Sequence, residues 1–154
     1  MNILVTGGAG YIGSHTIIEL INAGHSVTVV DNLCNSSSES ITRVENITGV
    51  QIPFHKVDIH DCAGLEDICS TTAFDACIHF AGLKAVGESV AFPWEYYENN
   101  INGTLVLVDV LRKPAARISS SVLPQPSMAS HNKCQSRRQR RKESTLIPTA
   151  GQSG

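Results

Sequence analysis

The chain has 154 residues, 42% of them apolar, which is the size and make-up of about one globular domain. No stretch approaches the length of a membrane span, and Gly7 interrupts the early apolar run, so neither a membrane helix nor a secretory leader is expected and the expected location is the cytoplasm. The net charge of −2 conceals an uneven split: residues 1–113 hold five Lys/Arg against thirteen acids, whereas residues 114–154 hold seven against one. Such different balances point to two segments shaped by different constraints. The five cysteines (Cys34, Cys62, Cys69, Cys77, Cys134) are widely spaced and form no C-x-x-C pair, so they read as reduced residues and no metal site is expected.

Taken in order, Ile3-Leu4-Val5 is a short apolar run with a turn signal directly behind it, which predicts a buried parallel strand. Gly7, Gly8, Gly10 and Gly13 follow and open a segment, Tyr11 to Ala23, whose apolar positions Ile12, Ile17, Leu20 and Ile21 recur at helical spacing. Strand, glycine loop and helix in that order form a phosphate-binding device: backbone can approach a pyrophosphate closely, and a helix N-terminus offers free N–H groups. A glycine-rich turn with no ligand is the plain alternative, and the strand–loop–helix context weighs against it. Ser26 to Asp31 predicts a second strand, with Val27, Val29 and Val30 as β-formers and an acid at its end. A carboxylate there accepts from adenosine ribose hydroxyls and repels a 2′-phosphate, which favours NAD over NADP; the alternative is a loop or cap residue.

Residues 39–47 predict a short helix, Val50 to Val57 a third strand ending at Asp58-Ile59, and His60 to Ser70 a helix with Ala63, Leu65 and Ile68 inward. Ala76 to Phe80 predicts a fourth strand stopped by Ala81-Gly82, and Trp94 to Lys113 a long helix after Pro93. This alternation predicts an α/β, Rossmann-like, doubly wound parallel sheet of about four strands, with ligands beyond the strands' carboxyl ends.

Four segments then carry a resemblance: T-G-G-A-G-Y-I-G-S-H from Thr6, D-N-L-C-N-S from Asp31, H-F-A-G-L-K-A-V-G-E-S from His79 and Y-Y-E-N-N-I-N-G-T from Tyr96. Over residues 1–113 the chain resembles the UDP-glucose 4-epimerases of the extended short-chain dehydrogenase/reductase superfamily. The resemblance implies NAD as cofactor and inversion at C4 of UDP-galactose or UDP-glucose, by removal and return of a hydride. Carried over by position, it implies that Gly7, Gly10, Tyr11, Ile12 and Gly13 hold the pyrophosphate. It places Asp31, Asn32, Leu33, Cys34, Asn35 and Ser36 around the adenosine ribose, with Asp58 and Ile59 beside the adenine. Phe80, Ala81, Gly82, Leu83, Lys84 and Asn99 would line the path toward the nicotinamide. On residue type alone, Phe80 and Ala81 also suit plain core, Lys84 a solvated charge and Asn99 a helix surface. A homodimer through helices near Trp94–Lys113 is also implied. A reductase or dehydratase acting on another nucleotide sugar shares the expected fold but fits Phe80–Ser89 less well.

The family's catalytic tyrosine, with a lysine four residues on, has no counterpart here. The three tyrosines are Tyr11, Tyr96 and Tyr97, and the last two are followed four positions on by Asn100 and Ile101. No catalytic residue is therefore assigned, and the expected chain is truncated and inactive. Residues 114–154 are basic and lack periodicity, so a disordered tail is expected, with the substrate domain absent. The run Gln135 to Lys142 resembles a nucleic-acid arm, which would make the chain a stand-alone NAD-binding module, yet such runs are usually just solvated. Read one frame over, Arg117–Ala129 permits N-F-I-F-S-S-S-A-T-V-Y-G and Leu146–Ser153 permits N-P-Y-G-R-T-K. The expectation is a frameshift near Lys113–Ala115.

Overall fold

The computed structural model describes residues 1–113 and 122–124. Its elements run β1 (Asn2–Thr6), α1 (Tyr11–Asn22), β2 (Ser26–Val30), α2 (Glu39–Thr48), β3 (Phe54–His55), α3 (Cys62–Thr71) and β4 (Ala76–His79). Then come α4 (Val86–Ala91), α5 (Pro93–Tyr97), a π-turn (Glu98–Asn102), α6 (Gly103–Arg112) and β5 (Val122–Pro124). The strands form one parallel sheet in the order β3-β2-β1-β4-β5. β1 is central: Thr6 pairs with Val30 on one side and with His79 on the other.

Alternation along β1 builds two cores, because successive side chains point to opposite faces. Ile3 and Val5 join Ile17 of α1, Val27 and Val29 of β2, and Ile41 and Val44 of α2. Leu4 joins Leu65, Ile68 and Cys69 of α3, Phe74, Cys77 of β4, and Leu107, Val110 and Leu111 of α6. Burial on both faces is what a parallel sheet requires, and it makes these strands near-continuous apolar runs. The predicted doubly wound architecture is the one observed.

Several predicted boundaries move. The third strand shrinks to Phe54–His55, since Pro53 has no N–H and contributes only its carbonyl, which accepts from the Val29 N–H at 2.8 Å. The third helix starts at Cys62 instead of His60, because the Asp61 side chain caps it by accepting from the Gly64 N–H. Ala63, expected to face inward, is exposed, and Cys69 takes a buried place beside Leu65 and Ile68. The long helix expected over Trp94–Lys113 is interrupted by the π-turn, where the Gly103 N–H bonds back to the Glu98 carbonyl five residues earlier. A fifth strand, Val122–Pro124, adds to the expected four and lies within the segment expected to be disordered. The free edge of β4 offers a row of backbone groups to any extended segment within reach. The remainder of that expectation falls outside the described residues.

On the outer face, Trp94 (76% exposed), Tyr97, Ile101 and Leu105 form an apolar stripe. No described helix is long and apolar enough to cross a membrane. Phe74 is 1% exposed whereas Ile47 of α2 is 68% exposed. Phe74→Ala is expected to lower the unfolding free energy by about 3–5 kcal/mol. Ile47→Ala should stay within about 0.5 kcal/mol, both read from urea denaturation.

Candidate functional site

The carboxyl ends of β1, β2 and β4 and the loop after β3 enclose a groove of about 260 Å³. Its floor is the glycine turn. Gly7 has a φ of +70°, which a residue without Cβ adopts freely, and its N–H donates to the Val30 carbonyl at 2.8 Å. A Cβ on Gly7 would lie 2.5 Å from the Ala81 nitrogen, and one on Gly13 would lie 2.5 Å from the Gly7 carbonyl oxygen. Gly8 packs against Val29 and Ile17, where a Cβ would meet the Val29 side chain at 2.7 Å. Gly10 differs from these: its nearest neighbour to a Cβ is the Gly7 oxygen at 3.3 Å, and its open side faces the groove. Helix α1 begins there with no side-chain cap and no acid in its first turn. Its first N–H groups and the positive end of its dipole point at the groove, the arrangement that binds anions.

Asp31, 7% exposed, ties this turn to the next loop. Its Oδ2 accepts from the Ala9 N–H (3.0 Å), and its Oδ1 from the Leu33 N–H (2.9 Å) and the Ser36 hydroxyl (2.9 Å). An ionised carboxylate offers about four lone-pair positions. Three are used, so one acceptor position on Oδ2 remains for a ligand hydroxyl. Leu33 is held at a φ of +62° by this turn, and the Cys34 N–H donates to the Asn32 side chain at 3.0 Å. Asn32 in turn donates to Asp58 Oδ2 at 2.7 Å. Asp58 Oδ1 takes both the backbone N–H (2.9 Å) and the ring Nδ1 (2.6 Å) of His60. Burial pushes the Asp58 carboxyl up, but the His60 and Asn32 hydrogen bonds outweigh it and hold it below its ordinary value. The same Asp58 bond holds His60 above its ordinary value against the effect of burial.

On the other side of β1, the loop Phe80–Lys84 leaves β4. Asn100, on the π-turn, grips it at Leu83: Oδ1 accepts from the Leu83 N–H (2.8 Å) and Nδ2 donates to the Leu83 carbonyl (2.9 Å). Asn99 donates to the same Oδ1. Thr104 spends its hydroxyl proton on the Asn100 carbonyl, so His79 Nε2 donates to Thr104 and His79 Nδ1 accepts from Thr6. Buried and close to Lys84, His79 is held below its ordinary pKa, in keeping with this neutral form.

Of the predicted site residues, Gly7, Gly10, Tyr11, Ile12, Gly13, Asp31, Asn32, Cys34, Asn35, Ile59, Phe80, Ala81, Gly82, Leu83, Lys84 and Asn99 line the groove. Leu33, Ser36 and Asp58 stand behind it, where they brace Asp31 and Asn32. The sequence reading missed Val30 and Val57, which also line it, and Asn100 and His79, which hold its β4 side. The one sequence signal for Asn100 is a pair of poor helix formers, Asn99-Asn100, inside a helical pattern.

The sheet order assigns the groove's parts. An anion at the α1 N-terminus lies over β1, so groups on one side of it fall over β2 and β3, beside Asp31, and groups on the other side over β4. A family model described as GDP-mannose 4,6 dehydratase matches residues 4–123. The chain belongs to that family. Within it, the residues match UDP-glucose 4-epimerases, as the motifs indicated: that of Pasteurella multocida is 58% identical over 113 residues, and that of Dictyostelium discoideum 60% over 111. These alignments cover 73% and 72% of the chain but 33% and 32% of the relatives, so the chain spans about a third of their length. Among solved structures, the Stenotrophomonas maltophila UDP-glucose-4-epimerase with bound NAD and formylated UDP-arabinopyranose superposes with a TM-score of 0.73 at 44% identity, covering 77% of this chain and 34% of that one. The Bifidobacterium longum enzyme in complex with NAD+ and UDP gives 0.71 at 52% identity, covering 72% and 33%.

The glycines separate folding from binding. Gly13→Ala forces the α1 turn off the Gly7 carbonyl and is expected to lower stability by about 1–3 kcal/mol. Gly10→Ala is expected to fold almost normally yet, if the helix N-terminus takes a phosphate, to weaken ADP binding roughly tenfold or more, because its methyl group would stand in the groove beside that N-terminus. Thermal melts and ADP titrations of both variants check the contrast.

Proposed function

We propose that the chain is the NAD-binding part of a UDP-glucose 4-epimerase, the enzyme that interconverts UDP-galactose and UDP-glucose by transient oxidation at C4. The observation that carries the reading is Asp31: a buried carboxylate at the end of β2, fixed by three donors and keeping one acceptor position beside an uncapped helix N-terminus. The residues fit NAD. The α1 N–H groups would hold the pyrophosphate over the bare Cα of Gly10, Asp31 would accept from the adenosine ribose, and Val57 and Ile59 would flank the adenine. Lys84, Phe80 and Asn99 would meet the part of the dinucleotide over β4. When bound, NAD supplies reversible hydride transfer at the sugar carbon.

The proton that leaves the sugar hydroxyl needs a base, and residues 1–113 hold no tyrosine followed four positions on by a lysine. Tyr96 donates to Glu88 at 3.0 Å, burial and that bond raise it above its ordinary value, and it does not line the groove. Residues 1–113 by themselves would bind the dinucleotide without turning over the sugar. Residues 114–154 are an out-of-frame extension, and in the full-length enzyme the stripe Trp94–Leu105 pairs with a second copy.

Two measurements test the reading. Calorimetry is expected to give NAD affinity at least tenfold above NADP, since a 2′-phosphate would meet the Asp31 carboxylate. Asp31→Asn should narrow that ratio; an unchanged ratio, or wild-type protein that ignores NAD, refutes the assignment. Resequencing of the coding DNA from about codon 105 is expected to show a gained or lost base near codon 114, with Tyr-x-x-x-Lys beyond it. An intact frame followed by stops in the neighbouring frame refutes the out-of-frame extension.

A further inference from the structure

His60 lies behind the groove wall and touches it on two sides. Its Nδ1 meets Asp58 Oδ1 at 2.6 Å, and Asp58 holds Asn32, a lining residue at the end of β2. Its Nε2 meets the Glu98 carbonyl at 3.2 Å, on the π-turn one residue before the lining residue Asn99. Both partners are acceptors with no proton to give: one is a carboxylate, the other a backbone carbonyl. A neutral imidazole has one N–H and can satisfy one of them, whereas an imidazolium donates to both. We propose that His60 is a positioning residue whose second proton fastens the π-turn carrying Asn99 to the adenosine side of the groove, so that nucleotide binding tightens when His60 is protonated.

When that proton leaves, the shorter, charge-assisted bond to Asp58 keeps the remaining one. The bare Nε2 lone pair then faces the Glu98 carbonyl oxygen, and attraction becomes repulsion. The charged groups facing the ring are Asp58 on its own loop and Glu98 on the π-turn, both acidic, and the Glu98 carboxylate is itself occupied by the Asn102 side chain. Both favour the imidazolium. With His60 raised above its ordinary value, the fastening is complete below about pH 6.5 and is lost as pH rises through the folded-state value. His79 shifts the opposite way, so its titration falls at lower pH and does not share this window.

The proposal rests on the nucleotide-binding reading, and its test is built to fail separately from it. In the protein without ligand, NMR is expected to show the Asn32 and Asn99 side-chain amide resonances moving along the His60 titration curve, with that movement gone in His60→Gln. NAD affinity of the wild type should fall about fivefold between roughly pH 6 and pH 8, the worth of one hydrogen bond. His60→Gln should show a flat profile at the weaker level, and His60→Arg, charged throughout, a flat profile nearer the tighter one. Equal pH profiles in the wild type and His60→Gln overturn the proposal, as do amide resonances blind to His60. Wild-type protein that binds NAD at neither pH refutes the nucleotide reading instead, and the amide titration alone then decides on His60.

Discussion

Three parts of the structure meet at one peptide, that of Gly7, and the groove depends on their being able to do so. Its N–H reaches across to the end of β2, and its carbonyl accepts from the Gly10 N–H at 3.2 Å, closing the glycine turn. Its missing side chain lets the exit of β4 pass within van der Waals range of the turn. The same carbonyl is the surface against which Gly13 brings helix α1. A side chain at Gly7 would strain a backbone at +70° and also push the Phe80–Ala81 segment away from the helix N-terminus. The two walls of the groove would then part.

What was legible in the sequence was local. The glycines, the valines of β2 and the acid closing that strand are chemically forced by their positions, and each lies within a few residues of the feature it creates. The less legible parts depend on residues remote in the chain. The extent of β3 is set by where Pro53, which brings a carbonyl but no N–H, meets Val29 of β2, and not by the apolar run Val50–Val57. Asn100 looks like an ordinary polar residue in a helix until Leu83, seventeen positions earlier, is placed opposite it. β5 falls in a segment with no periodic signal, and its place comes from the free edge of β4.

The two histidines beside the groove show how a ring's surroundings decide its charge. His79 sits between two hydroxyls, groups that can both give and take a proton, and near a lysine. A neutral ring completes that chain with every proton used once. His60 sits between two acceptors, and there a proton is what is missing. No side-chain nitrogen or oxygen buried among the described residues lacks a partner. The polar groups beneath the rim therefore act as a connected brace, in which moving one member disturbs the next.

The π-turn has one more consequence, for the phase of the helix that follows it. Each residue in a helix rotates the chain by about 100°. The extra residue in Glu98–Asn102 therefore sets where Leu107, Val110 and Leu111 point, several residues downstream. Tyr97 before the turn faces outward, and those three after it fill the core against α3 and β4. The stretch between them behaves as a fixed-length spacer. Its length matters apart from the identity of its residues, since loss of a single residue would swing an entire apolar face of α6 off the sheet while leaving every residue of that face unchanged.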